Sequence, residues 1–161
     1  MPERGAHPRP GGRRRVGWVV AAGLLFAGCA AAGPARIERT PMPPLDGRAL
    51  PFSEAVRVGE LLFLSGQIGN LPGTLQLAPG GIGPETRQTM ENVGAILARH
   101  GASWTDVVRC TVMLADMAEW PAMNAIYTTY FPTHKPARSA LGANGLALGA
   151  RVEIECIATI G

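Results

Sequence analysis

The sequence predicts an α+β domain in which two helices cover one face of a mixed sheet. Three observations predict this class: short apolar segments typical of strands, two longer segments with the 3.6-residue apolar spacing of helices, and Gly- and Pro-rich stretches between them. Their order along the chain is ββαβαββ. The domain takes up residues 45–161, which is enough chain for one hydrophobic core and not for two.

Two strands joined by a tight turn open the domain. Residues 55–58 and 61–66 are largely apolar, and only Gly59 and Glu60 lie between them. Glycine adopts the positive φ angle that a two-residue hairpin turn requires, so this spacing predicts an antiparallel pair. Residues 69–83 follow as a loop, because glycine and proline interrupt them repeatedly.

Two helices are predicted from apolar periodicity. The first, residues 84–100, begins with Pro84 and Glu85, residue types that are favoured in a first turn. Its apolar stripe comprises four residues: Met90, Val93, Ile96 and Leu97. The second helix, residues 117–130, contains Pro121, which a first turn tolerates.

Three further strands are predicted at residues 106–114, 137–142 and 151–159. Alternation gives the first of them two faces, Val108, Cys110, Val112 and Leu114 on one and Val107, Arg109, Thr111 and Met113 on the other. The two helices cover only one face of the sheet, and strands this apolar are poorly suited to water on the other. We therefore expect the chain to self-associate through the uncovered face.

Cys110 and Cys156 lie on two of these predicted strands. A cysteine on a strand is usually a small buried apolar residue, and in an oxidising compartment two of them can form a disulfide. The sequence does not place their Cα atoms relative to each other, so pairing stays open at this stage.

The N-terminal segment, residues 1–28, is predicted to be a lipoprotein-type signal peptide. Five arginines precede an apolar run of about twelve residues, too short to span a bilayer comfortably, and small residues then precede Cys29. Cys29 would be lipidated, so we expect an exported, periplasmic protein held at the membrane only by this lipid. Cleavage as an ordinary signal peptide near residues 30–32 is the alternative. Residues 29–44, rich in Ala, Gly and Pro, are predicted to be a linker.

The basic charge of the chain belongs to this N-terminal segment. Residues 1–28 contain five of the fifteen Lys and Arg residues and one of the twelve Asp and Glu residues, which leaves a net charge of −1 for the remainder. Electrostatic attraction to nucleic acid is therefore a poor expectation for the mature protein.

A candidate site is visible near the C-terminus. Arg138 stands fifteen residues before Glu153, and its guanidinium fork matches a carboxylate two hydrogen bonds at a time. Glu153 and Glu155 point to the same face of a predicted strand, about 6.6 Å apart, so one of them should dominate as a base. From these residues alone, Arg138 is either a clamp for a small organic acid or an ion-pair partner of the two glutamates.

Eight runs of sequence, in order, resemble the Rid family, the reactive intermediate deaminases also called RidA/YjgF. They are residues 51–56 (PFSEAV), 64–68 (LSGQI), 86–92 (TRQTMEN), 107–113 (VVRCTVM), 124–127 (NAIY), 131–132 (FP), 136–139 (PARS) and 152–158 (VEIECIA). The resemblance implies a chorismate-mutase-like fold and a homotrimer with a small-molecule cleft at each subunit interface. It also implies hydrolysis of 2-imino and enamine acids to 2-oxo acids and ammonia, without a metal or an organic cofactor.

The resemblance further implies roles for individual residues. Arg138 would bind the substrate carboxylate, and Glu153 rather than Glu155 would orient a water molecule and take its proton. Four residues would line the cleft: Phe52, Ser65, Asn124 and Ala140.

Three positions depart from the pattern of the family. Phe52 stands where many members have tyrosine, Ala140 replaces a frequent cysteine, and Gly142 falls where some members have glutamate. We expect these changes to alter substrate preference or rate rather than abolish hydrolysis. Two alternatives stay open, a non-catalytic module that binds small carboxylates and a ribonuclease; the charge of the mature chain disfavours the second.

Overall fold

The computed structural model describes residue 33 and residues 35–161. The predicted signal peptide, residues 1–28, and the predicted lipidation site Cys29 lie outside the described residues. Within the described part, no helix is both long and apolar enough to cross a membrane.

The described residues form seven strands and two helices. In chain order they are β1 (Ile37–Pro41), β2 (Ser53–Val58), β3 (Leu61–Leu64), β4 (Gln67–Ile68), α1 (Ile82–Arg99), β5 (Val107–Leu114), α2 (Trp120–Tyr127), β6 (Ala137–Gly142) and β7 (Val152–Thr159). Single 3₁₀ turns, Met117–Glu119 and Thr128–Tyr130, extend α2 at both ends, so the predicted helix 117–130 is confirmed with looser termini.

All the strands belong to one sheet, in the order β1-β2-β3-β7-β5-β6, with the short β4 also paired to β7. Only the β5–β6 pair is parallel, and the remaining pairs are antiparallel. The predicted mixed sheet and the order ββαβαββ are therefore confirmed by β2, β3, α1, β5, α2, β6 and β7. The predicted hairpin is confirmed as well, because Val58 pairs with Leu61 across Gly59, whose φ is 60°.

The predicted linker, residues 29–44, is wrong for residues 37–41. These residues form β1, which pairs with β2 in register from Ile37 opposite Val58. The outer edge of β2 would otherwise present a row of unpaired backbone groups, and β1 covers that edge. Pro41 ends the strand at an irregularity in the register, where a missing N–H is tolerated.

The predicted faces of β5 are correct from Cys110 onward and wrong at its start. Val107 is buried and Val108 is 44% exposed, the reverse of the alternation expected from the sequence. A bulge between Val107 and Arg109 inserts an extra residue opposite β7, and this shifts the alternation by one position.

The core lies between the two helices and one face of the sheet, here called the helix face. The predicted stripe of α1 is buried there: Met90, Val93, Ile96 and Leu97. Alternate residues of the strands meet it: Leu62, Leu64, Cys110, Val112, Leu114, Val152, Ile154, Cys156 and Ala158. Cys110 and Cys156 are register partners on β5 and β7 with Cα atoms 4.1 Å apart, and they form a buried disulfide.

The opposite face of the sheet, here called the open face, carries no helix of the described chain. Leu61 and Phe63 of β3 alternate with the buried Leu62 and Leu64, and both are about 40% exposed. Leu141 of β6 is also exposed, at 46%. One protomer therefore presents exposed apolar side chains on this face, as the sequence predicts.

Candidate active site

Arg138 lies on the helix face at the edge of the sheet. It is the register partner of the buried Cys110, and β6 is the outermost strand on that side. Its Nη1 donates a hydrogen bond of 2.9 Å to Oδ1 of Asn124. Its guanidinium also lies over two rings of α2, 4.7 Å from the centre of Tyr127 and 5.6 Å from that of Trp120. An amide and two aromatic rings therefore hold this cation in one orientation.

Tyr127 supports Arg138 as a neutral ring. Its side chain is 4% exposed, and its hydroxyl has no hydrogen-bond partner among the described residues. Burial raises the pKa of Tyr127 to about 12, against a smaller lowering by Arg138. The phenol therefore keeps its proton at physiological pH and offers a π face rather than a negative charge.

No carboxylate within residues 35–161 forms an ion pair with Arg138. The alternative that Arg138 pairs with Glu153 or Glu155 is therefore wrong for a single chain. The register explains why, because Glu153 is opposite Met113 and Glu155 opposite Thr111, while the intervening Ile154 is buried in the core. Both glutamates thus project from one face of the strand, as predicted; that face is the open face, and Arg138 projects from the other.

Glu153 lies in a tight position beside the bend between β3 and β4. A Cβ atom added to Gly66 would overlap the carboxylate of Glu153, so a larger residue at position 66 would displace that side chain. Partial burial, and then repulsion from Glu155, raise the pKa of Glu153 above its ordinary value. A carboxylate with a raised pKa is a stronger base than an ordinary one. Of the two glutamates, Glu153 is the one whose surroundings suit proton transfer.

A cavity of about 480 Å³ opens beside Glu153. The chain before β2, the loop after β4, and α1 form its walls, and most of the side chains that line it are apolar. Phe52 is one of them and is 47% exposed. Arg138, Asn124 and Ala140 do not line this cavity.

The predicted site residues therefore fall into two groups. The clamp group consists of Arg138, Asn124 and Ala140; Ala140 is paired in register with Val112, two residues beyond Arg138 on the same face. The cavity group consists of Phe52 and Glu153, whereas the predicted cleft residue Ser65 does not line the cavity. Ser65 lies beside Gly66, and its hydroxyl donates a 2.7 Å hydrogen bond to the backbone oxygen of Ser53, so this side chain also ties the end of β3 to the start of β2.

Sequence reasoning missed four residues of these two groups. Trp120 and Tyr127 stand at i and i+7 around Asn124 at i+4, so helical spacing could have placed all three on one side of α2. For Gly66 and Leu148, no comparable pattern in the sequence indicates a place near the site. Gly66 contacts the side chain of Glu153, on a strand far along the chain, and Leu148 lines the cavity with a φ of 58°. In the described chain, no group of three or more His, Cys, Asp or Glu side chains is arranged to hold a metal ion.

Comparison with known proteins identifies the family of this domain. Residues 47–160 match the family model described as endoribonuclease L-PSP. The chain is 43% identical over 110 residues to the chloroplastic Reactive Intermediate Deaminase A of Arabidopsis thaliana, covering 68% of this chain and 59% of that protein. It is 45% identical over 111 residues to the 2-iminobutanoate/2-iminopropanoate deaminase of Mus musculus, covering 69% of this chain and 82% of that protein.

Solved structures share the fold. The crystal structure of yeast Mmf1 superimposes with a TM-score of 0.72 at 32% identity, covering 78% of this chain and all of that one. The matched residues contain both the clamp group and the cavity group. The chain is therefore a member of the Rid family, RidA/YjgF, to which the model of endoribonuclease L-PSP corresponds.

Proposed function

We propose that this protein hydrolyses reactive 2-imino and enamine acids to 2-oxo acids and ammonia. The observation that carries the proposal is the preset guanidinium of Arg138, oriented by Asn124 and two rings and without a carboxylate partner among residues 35–161. A cation held in this way is suited to a small carboxylate ligand. Relatives named as 2-iminobutanoate/2-iminopropanoate deaminases support the reaction class.

The reaction needs few groups from the protein because a protonated imine is already electrophilic. Arg138 binds the substrate carboxylate and so fixes the adjacent imine carbon. Glu153 accepts a proton from a water molecule as that water adds to the carbon, and the C=N double bond becomes a single bond. The resulting carbinolamine expels its nitrogen after protonation, so one imino acid and one water give one 2-oxo acid and one ammonia. An enamine first takes a proton on its β-carbon.

We further propose that one active site contains the clamp group of one protomer and the cavity group of its neighbour in a homotrimer. Arg138 and Glu153 project from opposite faces of a single sheet, so a substrate that contacts both needs two chains. The exposed Leu61, Phe63 and Leu141 favour an interface on the open face. A heterologous contact that closes on itself gives identical clefts around a ring.

The proposed location is the periplasm, with the mature protein tethered through a lipid on Cys29. The arginine-rich and apolar segment before Cys29 supports export. The Cys110–Cys156 disulfide also suits an oxidising compartment. Mass spectrometry of the mature N-terminus separates the two processing routes. A diacylated Cys29 agrees with the tether, and a plain terminus at residues 30–32 contradicts it.

The alternative is a protein that binds small carboxylates without converting them. Phe52 and Ala140 favour it, because neither supplies the hydroxyl or the thiol that many family members have at these positions. Hydrolysis of RNA is disfavoured, since residues 35–161 carry ten basic against eleven acidic side chains and phosphate contacts require basic ones.

One assay separates deamination from binding. Imino acids are generated by an amino-acid oxidase, and their decay is followed with and without the purified protein. We expect faster decay with equal amounts of 2-oxo acid and ammonia formed, and loss of the acceleration in Arg138→Ala. Calorimetric binding of 2-oxo acids without any acceleration would instead establish the binding module.

A further inference from the structure

We propose that the preferred substrate carries a large apolar side chain, and that this side chain fills the cavity beside Glu153. The inference rests on the proposed function and adds the substrate class to it. Its basis is the chemistry of the cavity wall. Within the described chain, the wall carries an unpaired charge at Glu153 and offers few free polar groups elsewhere.

The charged side chains that line the cavity are Glu54, Arg99 and Glu153. Glu54 is 2% exposed and forms two hydrogen bonds with Arg99, from Nε at 3.1 Å and from Nη2 at 2.5 Å. These two charges therefore neutralise each other within the wall. Of the charged side chains that line the cavity, Glu153 is the one that forms no ion pair with any described residue.

The lining amides are also occupied by the protein itself. Gln67, Asn70 and Asn92 each donate through their side-chain nitrogen to backbone oxygens of the neighbouring loop. The acceptors are Ser65 and Gly66 for Gln67, Thr74 for Asn70, and Ile68 and Asn70 for Asn92. A ligand inside the cavity therefore finds few polar partners away from Glu153.

The remaining wall is apolar and roomy. Its apolar side chains are those of Met, Pro, Leu, Phe, Ile and Ala residues, among them Phe52, Ala95 and Leu148. A dry apolar cavity of about 150 Å³ already accepts benzene, and this one measures about 480 Å³. The methyl group of 2-iminopropanoate would leave most of that apolar space unfilled. An isobutyl or benzyl group matches it better.

Leu148 adds a second, independent observation. It has a φ of 58°, in the left-handed region that leucine rarely adopts, and it is 53% exposed. Backbone strain of this kind persists where the surrounding structure imposes it, and it is concentrated at ligand sites. With the exposed Phe52, it places two large apolar side chains where a bound ligand would cover them.

The test compares substrate classes in the full-length protein. Values of kcat/KM are measured for imines that an oxidase generates from leucine, phenylalanine and alanine. We expect the leucine and phenylalanine imines to be hydrolysed with kcat/KM roughly tenfold or more above that of the alanine imine. A preference for the alanine imine overturns the proposal.

Two matched variants test whether the cavity causes the preference for large side chains. Ala95 is on α1 and lines the cavity, whereas Ala98, one turn further along the helix, does not; both are exposed. Ala95→Phe fills the cavity, so the ratio of kcat/KM between the leucine and alanine imines should fall roughly tenfold. Ala98→Phe should keep the wild-type ratio. An equal ratio in both variants contradicts the proposal.

If the protein hydrolyses no imine, measurements of binding still test the proposal. Calorimetry then compares 4-methyl-2-oxopentanoate and phenylpyruvate with pyruvate in the same three proteins. Tighter binding of the two larger acids, reduced only by Ala95→Phe, supports the apolar side-chain site although deamination has failed. Equal affinities, or no binding at all, overturn it.

Discussion

Arg138 and Glu153 lie on opposite faces of the same sheet. The register sets this relationship, because Arg138 is paired with the buried Cys110, whereas Glu153 alternates with the buried Val152 and Ile154. The clamp and the base of the proposed reaction therefore cannot meet within one chain.

Glu153→Gln should lower kcat by roughly 10²- to 10⁴-fold, the usual contribution of a general base. Glu155→Gln is the matched control, since it lies on the same strand face but does not line the cavity. We expect Glu155→Gln to keep substantial activity. Steady-state kinetics on oxidase-generated imines measure both variants, and equal losses would argue against a special role for Glu153.

The pH dependence follows from the raised pKa of Glu153. Activity requires its deprotonated form, so kcat/KM should fall as pH drops through a value above the ordinary 4.5. Burial is the first cause of the shift and Glu155 the second. Glu155→Gln removes the repulsion from Glu155, so the pH at which kcat/KM falls should move to a lower value. A fall that stays at the same pH in Glu155→Gln would show that another group titrates.

Arg138→Lys should weaken binding of the carboxylate ligand although it keeps the positive charge. Lysine can neither grip a carboxylate with two parallel hydrogen bonds nor stack as a plane over Tyr127. Losing hydrogen bonds to a charged group costs about 1.5–3 kcal/mol, so the Kd for 2-oxo acids should rise roughly 10- to 100-fold. Calorimetry checks this, with Arg36→Lys as the control because that arginine is 87% exposed. Unchanged affinity in Arg138→Lys would refute the clamp.

The Cys110–Cys156 disulfide should contribute substantially to stability. It joins β5 and β7 across 46 residues of sequence and is buried in the core. Its removal should lower the free energy of unfolding by about 2–4 kcal/mol. Denaturant titration of the wild-type protein with and without reductant measures this, and the double variant Cys110→Ala/Cys156→Ala repeats it without redox chemistry. Overlapping curves in all conditions would contradict it.

The sequence predicted the elements of the fold well because their signals are local. The Gly59-Glu60 turn and the stripe of Met90, Val93, Ile96 and Leu97 can be recognised from neighbours along the chain, and both are confirmed. The strand at residues 37–41 and the bulge at Val107 could not be recognised in this way. A strand that completes an edge and an extra residue in a register are both determined by the strand opposite.

The site was predicted as a set of residues but not as an arrangement. Arg138, Glu153, Phe52 and Asn124 are in positions that suit ligand contacts, yet alternation along separate strands says nothing about which faces coincide. The register of β5 with both β6 and β7 decides that. The close contact at Gly66 likewise involves a residue 87 positions later, Glu153.

Complementation between two inactive variants tests directly whether one active site is shared between two chains. Arg138→Ala and Glu153→Gln are prepared separately, then unfolded and refolded together in equal amounts. A site built from two protomers regains an intact Arg138 and an intact Glu153 in mixed trimers, so we expect roughly a quarter of wild-type activity from random assembly. A mixture no more active than either variant alone would contradict a site shared between chains.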